Sequence, residues 1–187
     1  LIDKSAVVAD VRSSGQGGSI GIKLEEMKLD NSLIFGSTTG TGKGSSITVE
    51  SGSISLLNGA RIESAASGEG AAGSLEIEAV NITIAGEGEG FDPKDIEGGE
   101  TGETASSGLV TSTRSEGAAG TISVNGSVLE MMGGLVSSSS VGSGNAGEVT
   151  IIVPEVRVMA GAEINTSTSG EGRAGQVSLT VGNLKVD

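Results

Sequence analysis

Carboxylates at matching positions of a repeated motif are the residues of this sequence best suited to chemistry. Glu50 and Glu78 hold the same place in two successive copies of the repeat described below, and Glu76 lies beside them. Glycosidases use such carboxylate pairs, and so do calcium-dependent lyases. Lys23 holds the same place one copy earlier, so a surface charge ladder explains the pair equally well. Aromatic residues that could stack on sugars are nearly absent, and we predict no enzymatic activity.

A second set of acids shares one position inside each glycine-rich motif, and its members are Glu69, Glu116 and Glu171. A Ca²⁺ site needs several oxygen ligands that converge on one point. The motif lacks the aspartate of calcium-binding β-helix repeats. These three glutamates are candidate ligands, a solvated acidic corner is the alternative, and we predict no metal site.

Three glycine motifs match the dinucleotide-binding fingerprint G-x-G-x-x-G, at 68–73, 142–147 and 170–175. In a nucleotide-binding loop these glycines follow a strand and open a helix, whose N-terminus holds the phosphates. Here they precede short runs of alternating hydrophobic residues instead, which is typical of a strand. We therefore predict no cofactor.

Composition excludes several classes of site. The chain has 187 residues and a net charge of −13, with no Cys, His, Trp or Tyr. It therefore cannot form a disulfide, a Ser-His-Asp triad or the ordinary zinc, haem and iron–sulfur sites. Its acidity and lack of aromatic residues argue against nucleic acid as a partner. No apolar run is long enough to predict a membrane span.

The glycine-rich motif recurs six times. We take as the anchor of each copy the small residue before a hydrophobic burst: Gly18, Ser45, Gly73, Gly120, Gly147 and Gly175. Successive anchors are 27, 28, 47, 27 and 28 residues apart, as their numbers show. Five columns, at offsets −11, +2, +4, +9 and +11 from the anchors, contain only Ile, Leu, Val and Met.

These columns predict an all-β fold. Offsets +2 and +4 lie on one face of a strand, +9 and +11 form a second strand, and −11 begins a third. Small residues follow on the inner face of the third strand, in column −9: Ala9, Gly36, Ser64, Thr111, Ser138 and Thr166. Stacked repeats bury all these columns together. We predict one right-handed parallel β-helix over 1–187, with three strands per coil, 27–28 residues per coil and about 6.5 coils.

Column −3 is glycine in every copy: Gly15, Gly42, Gly70, Gly117, Gly144 and Gly172. It lies at the corner between the third strand and the next first strand. An all-glycine column indicates either positive φ or a very close backbone approach. We interpret these six as structural corner glycines.

The long interval holds an acidic insertion at about 86–107, between the second and third strands of its coil. It contains seven acidic residues against Lys94. Long loops on solenoids often carry binding functions, which makes Phe91, Asp92, Asp95, Ile96 and Glu97 a candidate binding loop. The alternative is a flexible, self-repelling loop, since loop entropy grows only slowly with length.

No polar terminal repeat or amphipathic helix caps either end of the predicted solenoid. An uncapped end offers unpaired strands. We therefore expect end-to-end stacking with a second copy, or further coils of a longer parent chain.

The repeat resembles that of filamentous haemagglutinin-like exoproteins, most closely in GSGNAGEVTI at 142–151 and GAEINTSTSGEGRAGQVSL at 161–179. The resemblance covers nearly the whole chain except the insertion. It implies a right-handed β-helix, export by two-partner secretion, and an adhesive or scaffolding role at the bacterial cell surface, where glycans are possible partners. It implies no catalytic residues. We expect a structural or adhesive shaft, with a polysaccharide-acting or glycan-binding β-helix as the alternative.

Overall fold

The computed structural model describes residues 5–12, 14–88 and 105–187, and every regular element in those ranges is a strand. In chain order the strands are β1 (Ala6–Val11), β2 (Ser19–Asp30), β3 (Leu33–Thr38), β4 (Ser46–Leu57), β5 (Arg61–Ala66), β6 (Leu75–Ala85), β7 (Glu87–Gly88), β8 (Ala105–Ser106), β9 (Gly108–Thr113), β10 (Ile122–Met132), β11 (Leu135–Ser140), β12 (Val149–Ile152), β13 (Glu155–Met159), β14 (Glu163–Thr168), β15 (Val177–Thr180) and β16 (Asn183–Val186).

The strands stack as a β-solenoid of about six turns. One parallel sheet has the order β1-β3-β5-β9-β11-β14, and it is built from the predicted third strands. The other sheet has the order β15-β12-β10-β6-β4-β2, and β13 and β16 extend it. Residues of one sequence column pair with each other in register, as Ile47 does with Ile20 and with Leu75. The predicted parallel solenoid is therefore confirmed.

The predicted first and second strands form one continuous strand in four coils. The bend between them lies at column +7, where residues such as Gly52 have no partner in the register, and columns +7 and +8 both point outward. In the last two coils the strand is split, with Pro154 and Gly182 at the bend. Proline is tolerated there because an unpaired position needs no N–H donor.

The core fills the space between the sheets. In the second to fifth coils all five predicted apolar columns are buried, and most of their residues have no exposed surface. A further inward column at +6 contains Leu24, Ser51, Ala79, Gly126, Val153 and Val181. Because this column mixes polar, small and aliphatic residues, the hydrophobic pattern of the sequence does not reveal it.

Close approach of the preceding coil explains five of the six corner glycines, Gly42 and the later members of the column. None of the six has a positive φ. A Cβ on Gly144 would overlap the carbonyl oxygen of Gly117 in the preceding coil, and a Cβ on Gly117 would overlap that of Gly70. The stacking distance between coils therefore requires glycine, and the alternative of positive φ is wrong for this column.

Positive φ occurs instead in column +13, at the turn before the third strand. Its five members are Asn31, Asn58, Gly86, Gly133 and Ala160. In the two 28-residue coils the extra residue, Gly59 or Gly161, also has positive φ. Each pair forms a turn closed by a hydrogen bond, from Ala60 N to Leu57 O and from Ala162 N to Met159 O, both 3.1 Å. Two successive positive φ values define a type I′ turn, which favours Asn-Gly.

Ala160 is the one member of this column that is neither asparagine nor glycine. An L-residue with a Cβ pays a steric penalty in the left-handed region, while glycine pays none. We expect Ala160→Gly to stabilise the fold by about 1 kcal/mol in urea denaturation. Ala174→Gly, at an exposed position where φ is not positive, should give no gain. Equal destabilisation by both changes would contradict this account of the turn.

The insertion leaves the coil at this same turn. Its base is a short antiparallel ribbon, in which Glu87 pairs with Ser106 and Gly88 with Ala105. Ser107 N donates to Gly86 O at 3.0 Å, so the coil closes across the base. The buried Ser107 hydroxyl donates to Ala85 O at 2.8 Å, as the Ser32 hydroxyl does to Asp30 O at 2.8 Å in an uninterrupted coil.

Deleting residues 87–106 should therefore restore an ordinary coil. The 47-residue interval would become 27 residues (47 − 20), and Gly86-Ser107 would occupy the place of Asn31-Ser32. We expect the deletion variant to keep its β circular dichroism spectrum, with a melting temperature within a few degrees of the parent's.

A deletion of residues 88–107 removes the same number of residues but shifts the junction by one. It loses the Ser107 hydroxyl, which also accepts a hydrogen bond from Gly59 N at 2.9 Å, and it places Glu87 at that buried position. This control should melt well below the first variant. Equal melting temperatures would show that the coil does not close at Gly86 and Ser107.

Candidate functional site

Buried hydroxyls line the inner face of the third strands, in columns −9 and −7. The Ser64 hydroxyl donates to Ser45 O at 3.1 Å and accepts from Gly73 N at 2.8 Å. The Ser138 hydroxyl donates to Gly120 O at 2.9 Å and accepts from Gly147 N at 2.8 Å. These hydroxyls hydrogen-bond to backbone N–H and C=O groups of the corners next to them, so they hold the corners to the third strand. Their hydrogen bonds are thus used within the fold.

One coil reverses this arrangement. Five anchors are glycine, and each has a hydroxyl residue or alanine in column −9 of its own coil, but Ser45 faces Gly36. A Cβ on Gly36 would lie 2.9 Å from both the Cβ and the carbonyl oxygen of Ser45. The Ser45 hydroxyl points inward and donates to Ala9 O at 3.2 Å. The serine and the glycine have thus exchanged places across the same space.

Swapping this pair should restore stability that either single change removes. Gly36→Ser crowds Ser45, and Ser45→Gly leaves a cavity and removes the hydrogen bond to Ala9 O, so each should destabilise the fold by about 1–3 kcal/mol. The double variant Gly36→Ser with Ser45→Gly reproduces the arrangement of Ser64 and Gly73. We expect a coupling energy of about 1–3 kcal/mol from denaturant unfolding of the four proteins. Additive effects would contradict this explanation.

The carboxylate pair lies on the outer face of the sheet that contains β4 and β6. Lys23, Glu50 and Glu78 are in register on three successive strands, and Asn125 follows on the next. Lys23 Nζ forms an ion pair with Glu50 Oε2. The hydrogen bond and charge of Glu50, together with the charge of Glu78, raise the pKa of Lys23 above its ordinary value. The geometry thus forms a charge ladder that ends in two neighbouring carboxylates, with the exposed Glu76 two residues before Glu78.

The candidate metal ligands do not converge. Glu69 and Glu116 lie on neighbouring coils, whereas Glu171 is two coils further on, with Ser143 between them in the same column. All three side chains are exposed. Strand spacing alone separates Glu171 from Glu116 by about 10 Å. Within the described ranges, no three acidic side chains are placed to hold a metal ion together.

Polar side chains on the outer surface link neighbouring coils. Asp10 accepts a hydrogen bond from the Ser37 hydroxyl in the next coil and one from Arg12 Nε at 2.9 Å. Burial raises the pKa of Asp10, but these hydrogen bonds and the charge of Arg12 outweigh it and hold that pKa below its ordinary value. Asn58 Nδ2 donates to Asp30 Oδ1 at 2.7 Å in the same way.

The candidate binding loop of Phe91, Asp92, Asp95, Ile96 and Glu97 lies outside the described residues. What the structure does place is its base, where Arg61 Nε donates to Ser106 O at 3.2 Å and Arg61 pairs with Glu63 at 3.5 Å. The insertion therefore emerges beside a half-buried ion pair on the third-strand sheet.

Comparisons of the chain with models of protein families, with curated proteins and with solved structures find no match. Among the residues that the structure places, no helix is long and apolar enough to cross a membrane.

Proposed function

We propose that this chain is a structural and adhesive shaft, a solenoid segment of a secreted bacterial surface protein or filament. The observation that carries the proposal is the continuity of the ladder. Two parallel sheets run through about six coils, and the buried columns between them continue from coil to coil without a break. At about 4.8 Å per coil, six coils give a rod about 29 Å long.

The mechanism is mechanical. Each coil is joined to the next by hydrogen bonds in both sheets, by stacked aliphatic side chains and by the corner contacts, so removing one coil breaks many interactions together. The net charge of −13 keeps such a rod soluble. The resemblance of the repeat to filamentous haemagglutinin-like exoproteins supports export by two-partner secretion, a cell-surface location and cell-surface glycans as partners. The proposal assigns no catalysis to the chain.

Pulling single molecules from their two ends tests the shaft. A solenoid whose coils contact only their neighbours should unravel coil by coil. Each coil of 27–28 residues should then release about 90–100 Å of chain. Gly144→Val should lower the unravelling force, because its side chain overlaps the Gly117 carbonyl. Gly21→Val, where a Cβ meets no described atom within 4 Å, should leave the force unchanged. Release of the whole chain in one step would contradict the proposal.

A polysaccharide-acting or glycan-binding protein is the second candidate, and the registered pair of Glu50 and Glu78 favours it. Retaining glycosidases hold two carboxyl groups about 5 Å apart, which is close to the spacing of adjacent strands. The two candidates separate in an assay of the same chain on acidic and neutral polysaccharides. Turnover that disappears in both Glu50→Gln and Glu78→Gln would favour an enzyme, and binding without turnover that both changes weaken would favour a glycan-binding protein. Absence of both results favours the shaft.

A further inference from the structure

Asn-Gly is the dipeptide most prone to spontaneous deamidation, and it occurs twice in this chain, at Asn58-Gly59 and Asn125-Gly126. Glycine has no side chain to shield its backbone nitrogen, so that nitrogen can reach the side-chain amide carbon of the preceding asparagine. The attack closes a five-membered succinimide ring. Since no other residue takes part, the rate depends on how firmly the fold restrains the two reacting groups.

The balance of this reaction requires only water. The Gly59 nitrogen gives up its proton and forms a bond to Asn58 Cγ, the bond from Cγ to Nδ2 breaks, and Nδ2 leaves as ammonia. Water then opens the ring. Cleavage of the new bond to Cγ gives aspartate with the ordinary backbone. Cleavage of the original peptide bond gives isoaspartate, in which the backbone runs through Cβ and Cγ.

The fold restrains both reacting groups at the first of these sites. Gly59 N donates to the Ser107 hydroxyl at 2.9 Å, so the proton that must leave the attacking nitrogen is hydrogen-bonded elsewhere. Asn58 Nδ2 donates to Asp30 Oδ1 at 2.7 Å, which holds the leaving group against the preceding coil. Ring closure must break both hydrogen bonds. The Asn58 side chain is exposed, so water has access to the ring once it forms.

The base of the insertion fixes Ser107 in this position. Its side chain is buried, and its hydroxyl donates to Ala85 O at 2.8 Å while it accepts from Gly59 N. Its backbone N–H donates to Gly86 O at 3.0 Å, where the chain returns from the insertion to the coil. The residue that closes one coil therefore also restrains the nucleophile of the coil before it.

The second Asn-Gly pair lies in the middle of β10. Asn125 is in register with Glu78 on one side and with Ile152 on the other. Bending the chain at Gly126 into a succinimide would therefore disturb the pairing of three coils. An exposed turn opens at lower cost than a central strand. The pair in the turn should react first in the folded protein.

We propose that Asn58 is a site of spontaneous deamidation in the folded chain and that the Ser107 hydroxyl restrains the reaction. Aspartate at this position places a second carboxylate beside Asp30, in place of the amide that donates to it. Isoaspartate lengthens the backbone of a turn that the hydrogen bond from Ala60 N to Leu57 O closes. Both products loosen the turn next to the base of the insertion. This inference does not depend on the proposed function.

Peptide mapping by mass spectrometry tests the choice of site without any variant. The chain is stored in mildly alkaline buffer, which favours loss of the glycine proton, and both Asn-Gly pairs are followed in one sample. Asn58 should convert faster than Asn125 in the folded chain. In denaturant the two should convert at similar rates, both faster than in the folded chain. Equal conversion of the two in the folded chain, or conversion of Asn58 as fast as in denaturant, would overturn the proposal.

Ser107→Ala tests the restraint. Loss of the hydrogen bond to Gly59 N should raise the rate at Asn58 about tenfold, which corresponds to about 1.4 kcal/mol, the upper end of the range for one hydrogen bond. The rate at Asn125 should not change, because β10 keeps its partners on both sides. This second site therefore reports any general loss of stability in the same sample.

Ser138→Ala is the matched control. It removes another buried hydroxyl, which accepts from Gly147 N at 2.8 Å as the Ser107 hydroxyl accepts from its own glycine. Asn58 should convert at the parent's rate in this variant. Equal acceleration by the two serine changes, or acceleration of Asn125 together with Asn58, would assign the effect to global unfolding and refute the role of Ser107.

Discussion

The distance between successive coils is the constraint on which the rest of this structure depends. Backbone hydrogen bonds between parallel strands fix it at about 4.8 Å, and both sheets impose the same value on every coil. At the corner before each first strand, the chain must turn without leaving this spacing. The carbonyl of the preceding coil then occupies the volume in which a Cβ would lie, as it does beside Gly70, Gly117 and Gly144. Glycine at this corner follows from that overlap and not from a need for positive φ.

The same spacing makes the interior a set of columns in which each side chain must fit against its neighbours in the coils above and below and on the opposite strand. Aliphatic side chains meet this packing requirement by stacking. Polar residues satisfy it only when their hydrogen bonds close within the coil, as those of Ser64 and Ser138 do with the adjacent corner. Ser45 and Gly36 reverse the usual places of the larger and the smaller residue. The combined side-chain volume at this point is therefore constrained, while either the anchor or the third strand can supply it.

The outer surface is under much weaker constraint, and this is where the chain varies. Outward columns mix charged, hydroxyl and apolar residues, and they form local ladders such as Lys23, Glu50 and Glu78. The insertion begins at a turn that already accommodates one extra residue in two coils. The hydrogen bond from Ser107 N to Gly86 O closes the coil at the base of the insertion, so the strands before and after it keep their places in the two sheets. A shaft can therefore acquire loops and surface charges without any change to its core, which is why an acidic loop and a regular solenoid occur together in one chain.

The sequence by itself determined the period, the strand columns, the parallel stacking and the place of the insertion, because a one-dimensional repeat puts every core contact at a fixed separation along the chain. It also showed that column −3 must be glycine, but it left two physical reasons open. Tertiary structure decided between them, since only the stacked coils show the carbonyl that a Cβ would meet. The left-handed column of Asn31, Asn58 and Gly86 was visible as residue types but is recognisable as a turn only from its dihedral angles. The bend at column +7 and the separation of Glu171 from Glu116 likewise depend on the register between neighbouring coils. That register cannot be read from a single repeat.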